Sequence, residues 1–168
     1  MNDYSFFWMD YNSAIENLTP EEGNKIIEWC NALITHECQF RTFPYEQEGN
    51  KNPRFITGPQ DLFTVGWENA GVYLAVLKYK GEIVSVARLT YGVNDYATEL
   101  ILTFVMTNPD YRKQGHAKEL MERIKEGAKV RNFTFLSLCY DGRNHDAVEF
   151  YRKTGWITGQ VNAGKFIQ

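Results

Sequence analysis

Residues 99–117 read Glu-Leu-Ile-Leu-Thr-Phe-Val-Met-Thr-Asn-Pro-Asp-Tyr-Arg-Lys-Gln-Gly-His-Ala, and this stretch decides the fold. Glu99 to Met106 is a nearly continuous apolar run, the pattern of a central strand covered on both faces. Asn108-Pro109-Asp110 ends it. Beyond the turn, Ala117, Leu120, Met121, Ile124 and Ala128 recur at helical spacing, with Glu119 and Arg123 four apart on the surface. Phe133 to Tyr140 reads as the next strand. Strand, helix, strand predicts a βαβ unit with a parallel pair and a right-handed crossover.

Downstream, a short helix is predicted over about 144–154, closed by Gly155. Trp156 to Phe166 is expected to return as a strand or hairpin. Upstream, Val72–Tyr79 and Glu82–Tyr91 are rich in β-branched and aromatic residues, and Lys80-Gly81 between them predicts a β-hairpin. In Thr19-Pro20-Glu21-Glu22, Thr19 can cap a helix, Pro20 suits its first position and Glu22 can return a bond to the cap. Ile26, Ile27, Cys30, Leu33 and Ile34 then make one face of residues 20–35 apolar. Residues 36–70 are punctuated by Pro44, Pro53, Pro59, Gly49-Asn50 and Gly58, and read as a long ordered loop or as short pieces of structure. With no repeat, low-complexity tract or linker, residues 1–168 are expected to form one α/β domain.

The chain has 168 residues, 43% apolar and 23% charged. That composition suits a folded core and excludes a disordered tail, a collagen or a coiled coil. Eighteen Lys and Arg against 21 Asp and Glu leave a formal charge of -3. The acidity argues against a broad basic face for nucleic acid, so an RNA-binding or nucleic-acid-modifying role draws little support. No apolar run approaches the roughly 18 residues that span a bilayer, and the first ten residues lack the layout of a secretion signal. Cys30, Cys38 and Cys139 are odd in number and form no Cys-x-x-Cys, so reduced thiols in a cytoplasm are expected. His36, His116 and His145 are scattered, and His36 with Cys38 lacks further ligands, so no metal is expected. Aromatic residues reach 15%; such rings usually fill core but also line pockets.

The turn Arg112-Lys113-Gln114-Gly115-His116-Ala117-Lys118 opens the crossover helix. A helix N-terminus offers unpaired N–H groups and partial positive charge, and glycine lets a phosphate approach. A tight turn with a basic surface is the plainer alternative. The turn is neither GxxxxGK[ST] nor GxGxxG, which removes the usual support for nucleoside triphosphate or dinucleotide binding. Ser137 and Cys139 lack a nucleophile signature such as GxSxG, and no covalent mechanism is built on them.

One strand downstream, Asn144, Ala147, Tyr151, Gly155 and Trp156 stand at the spacing Asn-x-x-Ala-x-x-x-Tyr-x-x-x-Gly-aromatic. This resembles motif B of the GNAT superfamily, the acyl-CoA-dependent N-acetyltransferases. Arg112, Gly115 and Ala117 are similar to that family's motif A, [Arg/Gln]-x-x-Gly-x-[Gly/Ala], and Pro109-Asp110-Tyr111-Arg112 matches the common run into it. The resemblance is firm over residues 71–156 and loose over 1–70.

The resemblance implies a mixed, mostly antiparallel sheet flanked by helices, with one splayed parallel pair at the cofactor cleft. Residues 71–156 would bind acetyl-CoA and residues 1–70 would form the acceptor side. The pyrophosphate would lie on the main chain of Arg112, Lys113, Gln114, Gly115, His116 and Ala117, with Lys118 adding charge. The pantetheine arm would pair with Val105, Met106 and Thr107 as an added half-strand. Asn144 would bond the cofactor arm as well as cap its helix. Tyr151 would protonate the departing thiolate, against the plainer reading of a core aromatic. Glu99 and Glu82 are the carboxylates available as a base; Glu99 begins the right strand but Ile101 and Thr103 hold the usual places, and a solvated strand end reads Glu99 equally well.

The implied activity is acetyl transfer to a primary amine of a small molecule or peptide, with a homodimer in keeping with the family. The alternative is a CoA-binding or interaction module without activity. Phe104, Phe133 and Phe135 are then expected in the sheet core. Phe40, Phe43, Tyr45, Phe55, Phe63 and Trp67 are expected on the acceptor side, with core as the default for each.

Overall fold

The structure, a computed structural model, describes residues 3–39, 55–64, 71–93 and 98–159. In chain order these form β1 (Tyr4–Met9), α1 (Tyr11–Asn17), α2 (Pro20–Cys38), a 3-10 turn (Pro59–Phe63), β2 (Gly71–Tyr79), β3 (Glu82–Val93), β4 (Thr98–Thr107), a second 3-10 turn (Pro109–Tyr111), α3 (His116–Val130), β5 (Phe135–Leu138) and α4 (His145–Lys153). The strands lie in the order β1-β2-β3-β4-β5; all neighbours are antiparallel except β4 and β5, which are parallel. The chain divides into two compact units, residues 1–33 with 56–139 and residues 34–55 with 140–168.

In the first unit, local chemistry sets the element ends. Asp10 and Ser13 form a reciprocal capping box on α1. The same device starts α2: Glu22 accepts from the Thr19 N–H at 3.0 Å, and the Thr19 hydroxyl accepts from the Glu22 N–H at 3.2 Å. Lys80 (φ 51°) and Gly81 (φ 87°) make the two-residue left-handed turn that matches strand twist, so β2 and β3 form the expected hairpin.

Met9, Ala14, Ile26, Cys30, Leu62, Leu74, Val76, Ile83, Val86 and Met106 form the core between one sheet face and α1 and α2. On the other face α3 buries Leu120, Met121, Ile124 and Ala128 over β1 to β4. Much of the aromatic excess runs across this face as a chain of touching rings. Phe6, Trp8, Tyr73, Tyr91 and Phe133 follow one another with centroids 6.5, 5.7, 5.5 and 5.8 Å apart. Glycine makes room for it at Gly127, where a Cβ would stand 2.9 Å from the Trp8 ring.

β1 and α1 fall where the sequence pattern gave no assignment. α2 runs on to Cys38, three residues past the apolar stripe. β5 is shorter than the 133–140 expected, so Cys139 lies beyond the strand and is exposed. Phe104 and Phe133 are half-buried, but Phe135 is 58% exposed and is not core. It pairs with Glu99 from β5, the outermost strand among the described residues, and so stands on that carboxylate's face of the sheet. Residues 156–159 have no regular structure, and the rest of the expected last strand lies outside the described residues, as do Phe40, Phe43, Tyr45 and Trp67. Phe63 is half-buried against Tyr11 at 5.6 Å, and Phe55 is exposed.

All three cysteines are free thiols. Burial pushes Cys30 up from 9.0 to about 12, a shift the Arg88 charge partly opposes. A proton held more tightly in the folded state makes stability fall as pH rises from about 9 towards 12. Cys30→Ala should flatten that fall in denaturant titrations at pH 8 to 11; an unchanged slope would contradict the assignment. A thiol reagent at pH 8 should label exposed Cys139 at once and Cys30 only on unfolding.

Candidate active site

The site begins where two strands part. β4 and β5 pair only from Glu99↔Phe135 to Leu102↔Leu138. β4 then continues through Thr103–Thr107 with β3 as its partner among the described residues. At the parting point Leu89 faces Leu102 while Arg88 faces Phe104, so Thr103 is an extra residue, a β-bulge. The bulge re-aims the strand. Before it Leu100 and Leu102 are buried, with Leu100 opposite Tyr91 of the ring chain; after it Met106 joins the core beside α2. Val105, Met106 and Thr107 thus present a strand edge free of β5. Ser85 steadies them from β3, its hydroxyl donating to the Met106 carbonyl at 2.7 Å.

The turn after β4 follows from its residues. Asn108 Oδ1 accepts from the Asp110 N–H at 3.2 Å, Pro109 opens the 3-10 turn, and Lys113 (φ 60°) and Gly115 (φ 90°) both take the left-handed conformation. Gly115 occupies the N-cap of α3 and brings no capping side chain. The first helical bond runs from the Glu119 N–H to the Gly115 carbonyl at 3.0 Å. None of the N–H groups of Lys113 to Lys118 has a hydrogen-bond partner among the described residues. Six consecutive amides at the positive end of a 15-residue helix, with exposed Arg112, Lys113 and Lys118 around them, make a cradle for an anion. Glu119 is the nearby carboxylate, and Arg123 holds it at 2.9 Å.

His116 is 4% exposed, and its side chain does not serve that cradle. Its Nδ1 lies 2.9 Å from the Tyr4 hydroxyl, and its ring packs among Tyr4, Tyr79 and Tyr111 at 5.7, 5.4 and 5.8 Å. The contact that the resemblance implies for His116 is one of its main-chain N–H, which the burial of the ring does not affect. The imidazole instead anchors the first turn of α3 to β1 and β2, a role the sequence pattern did not reveal.

The second unit holds Asn144 and Tyr151. Asn144 Oδ1 accepts from the Ala147 N–H at 3.2 Å and caps α4, the capping half of its two expected roles. Tyr151 stacks on Tyr140 at 5.2 Å and meets Phe150 and Trp156 edge-on at 5.2 and 5.8 Å. Gly155 (φ 84°) turns the chain so that the Trp156 N–H returns to the Tyr151 carbonyl at 3.0 Å. Burial, aided by the Glu37 and Tyr140 charges, pushes the Tyr151 phenol up to about 12. It is therefore protonated at neutral pH, and its hydroxyl makes no hydrogen bond with a described residue.

Glu99 lies at the closed end of the β4–β5 pair, half-exposed, four residues before Thr103. At about 3.3 Å per residue that is roughly 13 Å of strand. Glu82 starts β3 at the hairpin turn. The sequence pattern also missed Arg88, the one basic residue of β3, flanked by apolar Ala87 and Leu89, which the structure buries beside the bulge. Its presence between them was the available signal.

The bulged central strand, the parallel pair that opens and the amide cradle at the next helix all lie in the first unit. The family model described as "Acetyltransferase (GNAT) family" matches residues 31–156, and the chain belongs to that family. An aminoglycoside acetyltransferase, meta-AAC0020, from an uncultured soil metagenomic sample superposes with a TM-score of 0.64 at 15% identity, covering 99% of this chain and 97% of that one. The Bacillus subtilis protein YycN gives 0.67 at 19% identity, covering 98% and 99%. The aminoglycoside N-acetyltransferase AAC(6')-Iy in complex with CoA gives 0.60 at 10% identity, covering 98% and 95%. At such identities the likeness is one of fold. No curated protein sequence matches the chain.

A side chain at Gly115 would meet open space but would have to hold φ +90°. Non-glycine residues pay about 1–2 kcal/mol for left-handed backbone. Gly115→Ala should weaken acetyl-CoA binding roughly tenfold by calorimetry while the far-UV spectrum stays unchanged; equal affinity would remove the turn from the binding site.

Proposed function

We propose that the chain transfers an acetyl group from acetyl-CoA to a primary amine of a small-molecule or peptide acceptor, both held at once. The observation that carries this is the run of six unpartnered amides at Lys113–Lys118 beside the freed edge of β4. In this reading the amides, with Arg112, hold the pyrophosphate, and Val105, Met106 and Thr107 hold the pantetheine amides as a short added strand. Bound there, acetyl-CoA supplies an activated thioester. Asn144 contributes to the cofactor arm, and main-chain N–H groups at the end of β4 polarise the carbonyl.

Proton handling then falls to two side chains. The incoming ammonium must lose one proton before nitrogen can attack and a second as the amide forms, and the departing thiolate must gain one. Tyr151 is the donor: its phenol is protonated and its hydroxyl unengaged. A phenol near 12 is a weaker acid than a thiol near 8.5, so Tyr151 would stabilise the departing thiolate by donating a hydrogen bond, and any proton it passes on would be replaced from the acceptor nitrogen as the amide forms. Glu99 is the acceptor, through a water relay demanded by its distance along β4. Holding both reactants in register supplies much of the rate. Residues 1–70 form the acceptor side, where exposed Phe55 is an available ring. Several proteins of this fold act on aminoglycosides, which places amine-bearing small molecules among the acceptors to test.

Acetyl-CoA at 100 times its Kd should stabilise the fold by about 2.7 kcal/mol and raise Tm accordingly. No shift at millimolar concentration would sink the proposal. Stabilisation without thiol release across a broad amine panel would instead indicate an inactive binding module. Tyr151→Phe should keep acetyl-CoA affinity and lower kcat about 100-fold, the scale of general acid catalysis; equal turnover would free Tyr151 from the chemistry.

A further inference from the structure

Arg88 stands in the middle of β3 between Ala87 and Leu89, both fully buried, and is itself only 8% exposed. No carboxylate pairs with it among the described residues. Its partners are neutral. Nε donates to the Leu62 carbonyl at 2.7 Å, one terminal nitrogen to the Thr64 carbonyl at 2.5 Å, and the other to Thr103 Oγ1 at 3.1 Å. The Thr103 hydroxyl donates back to the Arg88 carbonyl at 3.2 Å, and the Phe104 ring lies 5.8 Å from the guanidinium carbon.

Stability does not explain such a group. Removing a cation from water is expensive, and well-packed apolar residues of similar size often serve a core as well or better. The value of the guanidinium lies in what its planar fork joins. Leu62 and Thr64 belong to the 3-10 turn and its exit, in the part of the chain assigned to the acceptor side. Thr103 is the bulge residue at which β4 leaves β5. Arg88 is the cross-piece between the two.

We propose that Arg88 is a positioning residue for acyl transfer, holding the Leu62–Thr64 main chain in register with the β4 bulge at Thr103. The proposal rests on the acyl-transfer reading above. It makes the geometry of the acceptor side depend on the same bulge that frees the strand edge for the acyl donor. Lysine could not replace it, because a single ammonium lacks the fork that spans both carbonyls and the hydroxyl.

The test uses the full chain with Arg88→Met, Arg88→Lys and Thr103→Val. Arg88→Met should keep acetyl-CoA affinity within about threefold and lower kcat/KM for the amine on the order of 10- to 100-fold, the scale of a small misplacement of reactants. Arg88→Lys should recover little. The loss in the double variant Arg88→Met/Thr103→Val should fall short of the product of the two single losses, because the two residues act through one contact. Hydrogen exchange provides a readout independent of turnover: Arg88→Met should speed exchange at both 62–64 and 103–107 and leave α3 unchanged.

Unaltered exchange at those two segments overturns the clamp whatever the activity. Unaltered amine kinetics in Arg88→Met, with an active wild type, overturns its role in transfer. A loss shared equally by acetyl-CoA affinity, Tm and turnover also overturns it, since that is the mark of a structural residue. If Arg88→Met does not fold, Thr103→Val carries both measurements. A wild type that neither binds nor turns over acetyl-CoA defeats the acyl-transfer reading instead, and the exchange result still decides the clamp.

Discussion

The structure depends on a single break in main-chain pairing: β4 stays bonded to β3 along its length but leaves β5 after Leu102. A strand in the middle of a sheet normally satisfies its N–H and C=O groups on both sides, and a buried group left unpaired is costly. The bulge at Thr103 makes the break possible by adding one residue to β4, bending it away from its parallel neighbour. On the side that β5 leaves, no described strand pairs with Thr103–Thr107, and it is there that the proposed function seats an extended amide-bearing arm.

The loop after β4 extends the same principle from strand edge to helix end. The amides of Gly115 to Lys118 are unpaired because the first turn of any helix leaves them so, those of Lys113 and Gln114 stand just before it, and left-handed Lys113 and Gly115 turn the chain into the helix without a capping side chain that would compete for them. What keeps that exposed turn in place is buried: His116 reaches back to Tyr4 across the sheet, within a cluster of three tyrosine rings. Charge supports binding without dominating it. The chain is acidic overall, yet Arg112, Lys113 and Lys118 surround the cradle.

The sequence revealed the parts that repeat a period or use a turn with one chemical solution. The hairpin at Lys80-Gly81, the α2 capping box at Thr19 and Glu22, the α3 stripe and the strands on either side of α3 in the chain were all legible. The parallel pair was legible too, because a strand, a helix and a strand in that order admit one handedness. Other features depend on contacts between distant residues and leave no local pattern. β1 is an aromatic strand whose assignment rests on pairing with β2 about seventy residues later. Phe135 has the residue type of a core position, but beside Glu99, on the outermost strand among the described residues, it is exposed. His116 sits in a motif whose main chain matters, so its buried side chain was hidden behind the motif's own logic. Arg88 was visible as the one basic residue of β3, but its three partners come from segments more than a dozen residues away.

The central claim is that main-chain amides at the end of β4 and the start of α3 receive the acyl carrier. Amide-resolved nuclear magnetic resonance of the full chain, titrated with acetyl-CoA, tests it directly. The N–H signals of Lys113 to Lys118 should shift downfield as they gain acceptors, together with signals from Val105 to Thr107. Saturable binding that leaves both groups of amides unmoved while shifting others would contradict it.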